Sequence, residues 1–79
     1  MEDSRVRIIA NFHVSLEYND GGYSCISETK RLWSDENGKV TEDVVDEWEA
    51  SFIKYLLKEH YNIRSCNVIC TSFFKLDNE

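Results

Sequence analysis

The chain has 79 residues, no proline, fifteen Asp or Glu and nine Lys or Arg, and its formal net charge at pH 7 is −6. A chain of this length forms one domain, residues 1–79, with a thin core, and is too short for a barrel enzyme, a complete dinucleotide-binding fold or a kinase lobe. The acidic balance argues against direct binding to nucleic acid, which normally needs a clustered basic face.

Residues 6–18 predict a long strand with one buried face. Apolar side chains take every second position over that whole stretch, which is the period of a half-buried strand. The Asp20-Gly21 pair that follows suits the positive φ angles of a two-residue type I′ turn. We therefore predict a hairpin, with a second strand returning beside the first.

The turn also sets a register for the two strands. If Asp20 and Gly21 are the two loop residues, the numbers of facing residues add up to 41. His13 then faces Glu28 on one side of the sheet. A bulge near Ser27 would shift this register by one residue, because the second strand alternates less regularly than the first.

A polar loop around Asn37-Gly38 leads to a predicted helix over residues 42–60. Thr41 is placed as its N-cap, and the acidic residues of the first turn suit the positive end of the helix dipole. Apolar residues at helical spacing form one stripe along it: Val45, Trp48, Phe52 and Leu56.

Residues 63–76 alternate again and predict a third strand, with Phe74 on the core side and Phe73 on the other. A helix of ~19 residues is ~28 Å long, enough to return the chain across the sheet. A right-handed crossover places the third strand beside the first. The predicted fold is α+β: a ββαβ chain with a three-stranded sheet of order 2-1-3 and one helix packed on one face.

One helix covers one sheet face, and the predicted register leaves apolar side chains on the other. A contiguous apolar set on an open sheet face is typical of an interface. We expect this face to be covered by a second copy, as a homodimer, or by another protein; the alternative is a different register of the second strand. The predicted interface residues are Ile9, Ile26, Leu32, Ile69 and Phe73.

The negative charge is concentrated in residues 35–49, which hold seven acidic side chains and one basic one. Two or three acids would suffice to complement a helix dipole. A dense negative surface attracts a basic partner and speeds its encounter, whereas the alternative is an acidic face that is only solvated. The predicted partner-binding residues are Asp35, Glu36, Glu42, Asp43, Asp46, Glu47 and Glu49.

No residue pattern predicts catalysis, a cofactor or a metal. The three cysteines form no Cys-x-x-Cys pair, and the glycines match no phosphate-binding loop. His13 facing Glu28 resembles an acid/base dyad, and we expect it to be a cross-strand ion pair instead. With an odd number of cysteines, an acidic N-terminus and no apolar run of ~20 residues, we expect a cytoplasmic protein with free thiols and no membrane contact.

Three segments carry a resemblance of size, charge and architecture: the NDGG turn, the acidic helix start DENGKVTEDVVDEW and the closing strand CNVICTSFFKLDNE. The chain resembles the small, acidic, proline-free proteins of phage and mobile-element genomes, some of which inhibit host defence, anti-CRISPR proteins among them. The resemblance implies a non-enzymatic inhibitor in the host cytoplasm, whose acidic patch engages a basic, nucleic-acid-handling protein. Two alternatives stay open: a small-ligand-binding or minor enzymatic oligomer with a site near His13 and Glu28, and a structural, self-assembling accessory protein.

Overall fold

The computed structural model describes residues 4–76. Strand β1 spans Arg7–Tyr18, β2 spans Tyr23–Trp33, helix α1 spans Glu42–Glu59 and β3 spans Ile63–Lys75. β1 is the central strand and pairs antiparallel with both neighbours, which gives the order β2-β1-β3. The predicted α+β fold and strand order are confirmed.

The core lies between the sheet and α1. Every second residue of β1 turns toward the helix, where Phe12 meets Phe52 edge to face with ring centroids 5.4 Å apart. Removing these side chains from water is the main favourable contribution to folding. The buried apolar residues are Ile8, Ala10, Phe12, Val14, Leu16, Trp48, Phe52, Leu56, Ile63 and Val68.

Helix α1 begins as predicted. The Thr41 hydroxyl accepts a hydrogen bond from the Val44 N–H at 3.3 Å, which satisfies one of the amide groups left unpaired at a helix start. The helix ends one residue before the predicted end, and the His60 N–H closes it by donating to the Leu56 carbonyl. Within residues 4–76, no helix combines the length and hydrophobicity that a membrane crossing needs.

The hairpin turn is one residue longer than predicted. The Gly21 N–H donates to the Tyr18 carbonyl and the Tyr18 N–H donates to the Gly22 carbonyl, both at 2.9 Å. Gly21 has a φ of 90°, and no non-glycine residue of the described chain has a positive φ. This is the three-residue loop in which a type I turn is followed by a left-handed glycine. Facing residues therefore add up to 40, and the predicted register is wrong by one residue.

The corrected register moves every side chain of β2 to the opposite face, because the side-chain period of a strand is two. Ile26 faces Val14 and Leu32 faces Ile8, so both lie on the helix side of the sheet. Pairing is regular through Ser27, so the shift arises in the turn and not at a bulge in the strand.

A bulge in β3 reverses the faces of its last residues. The pairing of β1 with β3 shifts between Asn11 and Phe12, which leaves Thr71 as an extra residue. Beyond such an insertion the alternation of side chains is inverted. Phe73 consequently turns toward α1, and Phe74 turns to the open face, which is the reverse of the predicted arrangement.

Candidate binding groove and acidic helix face

Helix α1 lies off-centre on the sheet. Its backbone approaches β3 closely but does not come equally near to β2. The Glu49 carboxylate accepts a hydrogen bond from the Cys70 N–H of β3 at 2.8 Å, which ties the helix to that side. On the other side, Trp48 Nε1–H donates to the Trp33 carbonyl at 3.3 Å, at the end of β2. The remaining space between α1 and β2 forms a groove of about 420 Å³.

The groove has an aromatic wall and a mixed wall. Phe12 and Phe52 reach it from the core, Tyr55 extends the wall along α1, and Leu32 and Lys30 come from β2. The Lys30 ammonium lies 4.5 Å from the Phe52 ring centroid and 5.6 Å from that of Tyr55, which is cation–π geometry. Such a cavity has the volume of a ligand site and could bury one large apolar side chain.

Sequence reasoning missed this groove because the register error placed Lys30 and Leu32 on the wrong face. The signal that could have revealed it is the Asn19-Asp20-Gly21 triplet, in which a glycine follows two residues that favour a type I turn. A three-residue loop would have turned the even-numbered residues of β2 toward the helix. The off-centre position of α1 has no comparable signal in the sequence.

Four of the seven predicted acidic residues form one exposed surface on the first turns of α1: Glu42, Asp43, Asp46 and Glu47, hereafter the acidic helix face. In the part of the chain that the structure describes, none of these carboxylates lies in an ion pair; the pair found there joins Arg64 to Glu17 at 3.1 Å. Glu47 also lines the groove. The acidic helix face and the groove are therefore adjacent parts of one surface.

Two of the other predicted acidic residues hold the backbone in place. Asp35 Oδ1 accepts from the N–H groups of Asn37 and Lys39, at 2.9 and 2.8 Å, and so organises the loop before α1. The Glu49 carboxylate accepts its hydrogen bond from the Cys70 N–H of β3. Glu36 is exposed in the same loop as Asp35.

The predicted His13–Glu28 pair does not form. His13 faces Ser27 on the open side of the sheet, whereas Glu28 faces Phe12 on the helix side. The longer turn separates the two side chains by moving β2 one residue along β1. The prediction of a cross-strand ion pair is wrong, and within one chain the two side chains lie on opposite faces of the sheet.

The five residues of the predicted sheet-face interface lie on two different faces. Ile9 and Ile69 are on the open face, whereas the turn moves Ile26 and Leu32, and the bulge moves Phe73, to the helix side. The prediction that all five share the open face is therefore wrong. Two local insertions, one in the turn and one in β3, account for it.

A polar row crosses the middle of the open face. The Asn11 side chain accepts from the Thr29 hydroxyl at 2.8 Å and donates to the Ser72 hydroxyl at 3.0 Å, so one residue from each strand is hydrogen-bonded to the next. Near one end, the Arg7 guanidinium lies 4.6 Å from the Trp33 ring centroid. These polar groups interrupt the apolar surface that the sequence predicted.

All three cysteines are free thiols, as predicted. Cys66 and Cys70 lie on the helix side of β3, and burial raises the pKa of both thiols because it disfavours the thiolate. Cys25 faces Ser15 on the open face and is exposed, so it is not the core thiol that the predicted register implied. Across residues 4–76, no three His, Cys, Asp or Glu side chains are grouped so that they could hold a metal ion.

Comparison of the chain with protein-family models, with curated proteins and with solved structures gave no match.

Proposed function

We propose that this chain is a non-enzymatic binding protein that holds a basic segment of another protein along the acidic helix face. An apolar side chain of that segment occupies the groove between α1 and β2. The observation that carries the proposal is the position of Glu47, which belongs both to the unpaired carboxylates of the helix and to the lining of an aromatic groove.

The charges act together because they are close. The six helical residues from Glu42 to Glu47 rise only ~7.5 Å, which is less than the Debye length of ~8 Å at physiological ionic strength. A basic partner therefore meets the four carboxylates as one negative patch, which speeds encounter and orients the partner. Because the carboxylates are exposed, each ion pair adds little affinity, roughly 0–1 kcal/mol.

The groove supplies the affinity that exposed ion pairs lack. Binding energy in protein interfaces comes mainly from a few large side chains buried in well-packed pockets. The aromatic wall of Phe52 and Tyr55 suits an aromatic or long aliphatic side chain. Lys30 on the opposite wall is the basic group of the lining, and it favours an uncharged anchor over a second cation at that point.

A nucleic-acid-handling protein is the partner class that this surface fits best. Such proteins carry clustered Lys and Arg side chains that normally face phosphates. The acidic helix face would occupy those side chains and compete with nucleic acid, so the proposed outcome of binding is inhibition. The resemblance to phage-encoded inhibitors of host defence points to the same class.

The test is charge reversal of the acidic helix face, with all four residues changed to Lys. The probe is an arginine-rich peptide with one central tryptophan, and its binding is measured by fluorescence anisotropy at two salt concentrations. We expect the Kd to rise on the order of tenfold or more and its salt dependence to flatten. Glu47→Lys should weaken binding more than Glu59→Lys, a matched change at the other end of the same helix.

The groove is tested separately with Tyr55→Ala, because the Tyr55 side chain is 53% exposed and its loss leaves the core intact. This variant should weaken the binding of the peptide that contains tryptophan, but not the binding of a peptide with alanine in place of the tryptophan. Affinity capture from the native host lysate then compares the quadruple variant with Glu59→Lys. Proteins lost with the quadruple variant and retained with Glu59→Lys should be basic; unchanged capture by the quadruple variant would contradict the proposal.

A further inference from the structure

The outer edge of β2 is regular and open. β2 pairs with β1 over its whole length without a bulge. At the two ends of this ladder, the Tyr18 N–H donates to the Gly22 carbonyl and the Ser34 N–H donates to the Val6 carbonyl. Hydrogen-bonded pairs recur at every second residue of an antiparallel ladder, so the even-numbered residues of β2 are the ones bonded to β1. The N–H and C=O groups of the odd-numbered residues consequently point outward. Among residues 4–76, the one hydrogen bond to this edge is the Trp48 indole on the Trp33 carbonyl.

The outer edge of β3 is protected in a way that β2 is not. Its bulge at Thr71 interrupts the regular ladder, and the outward N–H of Cys70 is occupied by the Glu49 carboxylate. Bulges, prolines and covering side chains are the usual means of preventing strand addition at a sheet edge. The sequence contains no proline, and β2 has no bulge. As far as the described residues 4–76 show, the β2 edge is therefore the one of the two that is available for a further strand.

We propose that β2 pairs antiparallel with β2 of a second copy, with Thr29 on the two-fold axis. In this register Glu28 lies opposite Lys30 of the partner subunit, and Ile26 lies opposite Leu32 of the partner subunit. Symmetry provides each pair twice. These pairs fall at the positions without hydrogen bonds, where facing Cα atoms are only ~4.5 Å apart and side chains interact most closely.

Like charges disfavour the neighbouring registers. Moving the partner strand by two residues, the smallest shift that keeps the outward backbone groups of the two copies facing each other, places Glu28 opposite its own copy in one direction and Lys30 opposite its own copy in the other. Like charges directly opposite each other destabilise a strand pair. The charge order Glu28-Thr29-Lys30 therefore selects one register. In that register the backbones of the two copies form about six hydrogen bonds with each other between Ser27 and Arg31.

The dimer has a consequence for the groove. Because even-numbered residues face even-numbered residues, both helices lie on the same side of a continuous six-stranded sheet. The two grooves then meet across the β2 seam, and Ile26, which is 38% exposed in one copy, becomes part of a shared floor. The dimer rests on β2 alone, so it is tested independently of the acidic helix face.

The experiment is sedimentation velocity over a concentration series, from low micromolar to several hundred micromolar. The wild-type chain should show a concentration-dependent dimer. Glu28→Lys and Lys30→Glu should each raise the dimer Kd on the order of tenfold or more, because each creates two like-charge pairs. The double variant, with both changes, should restore dimerisation, and an equimolar mixture of the two single variants should form a heterodimer.

Two further variants distinguish this edge from other surfaces. Thr29→Pro removes an outward N–H without breaking the ladder to β1, so it should abolish the dimer while the circular dichroism spectrum stays native. Ile69→Ser, on the open sheet face, should leave the dimer unchanged. A wild-type chain that is monomeric throughout, a dimer that survives Thr29→Pro, or one that is lost with Ile69→Ser would overturn the proposal.

Discussion

Replacing Phe12 by alanine tests the assignment of the core. Its side chain is 2% exposed and meets Phe52 edge to face. A buried Phe→Ala change costs ~3–5 kcal/mol, whereas a domain of this size has a free energy of unfolding of about 4–12 kcal/mol. We therefore expect Phe12→Ala to remove between about a quarter and all of the free energy of unfolding. Phe12→Leu keeps most of the volume and should cost up to ~1.5 kcal/mol for the change of shape, with a further ~0.5–1.5 kcal/mol for the lost aromatic pair.

The matched control is Phe74→Ala. Simple alternation along β3 places Phe74 in the core, but the bulge at Thr71 turns it to the open face, where it is 52% exposed. We expect this variant to cost less than ~1 kcal/mol, close to the range of surface substitutions. Urea unfolding followed by tryptophan fluorescence and circular dichroism measures all three variants. Equal losses for Phe12→Ala and Phe74→Ala would refute the bulge and the assignment of faces that follows from it.

Two further predictions concern the loops and the thiols. Gly38→Ala should destabilise the fold more than Gly21→Ala, as measured by urea unfolding. Both glycines have a positive φ, 79° at Gly38 and 90° at Gly21, so both changes strain the backbone. An added Cβ at Gly38 would also stand 3.0 Å from a backbone oxygen, whereas an added Cβ at Gly21 has no atom within 4 Å. Iodoacetamide at pH 8 should alkylate Cys25 faster than Cys66 or Cys70, because burial raises the pKa of the latter two and lowers their thiolate fraction. Unfolding in urea is the control and should make the three rates equal. Equal rates in the folded protein would contradict the prediction.

Local patterns in the sequence were sufficient to predict the elements and their order. Strict alternation in β1 requires a strand with one buried face, and the Thr41 hydroxyl marks the helix start because a helix N-terminus leaves amides unpaired. The length of the helix and the handedness of the crossover then leave one simple place for β3. These features depend on neighbouring residues or on general chirality, so one sequence is enough to infer them.

The faces of β2 and the end of β3 could not be predicted in the same way. β2 carries apolar and polar residues on both of its sides, such as Leu32 and Lys30 on one and Trp33 and Arg31 on the other. Its own pattern therefore does not choose between two registers that differ by one residue. The choice follows from the hydrogen bonds of a turn, and at Thr71 from pairing with a strand that is distant in sequence.

The sequence by itself determined that this protein is a small acidic α+β chain whose negative charge is concentrated at the start of one helix. Only the tertiary structure decided which acidic side chains stay unpaired at the surface and which hold the backbone, as Asp35 and Glu49 do. It also decided that α1 leans toward β3 and leaves a groove beside β2. The reason is that side-chain period and capping act over a few residues, whereas helix position and strand register depend on packing and pairing across the whole chain.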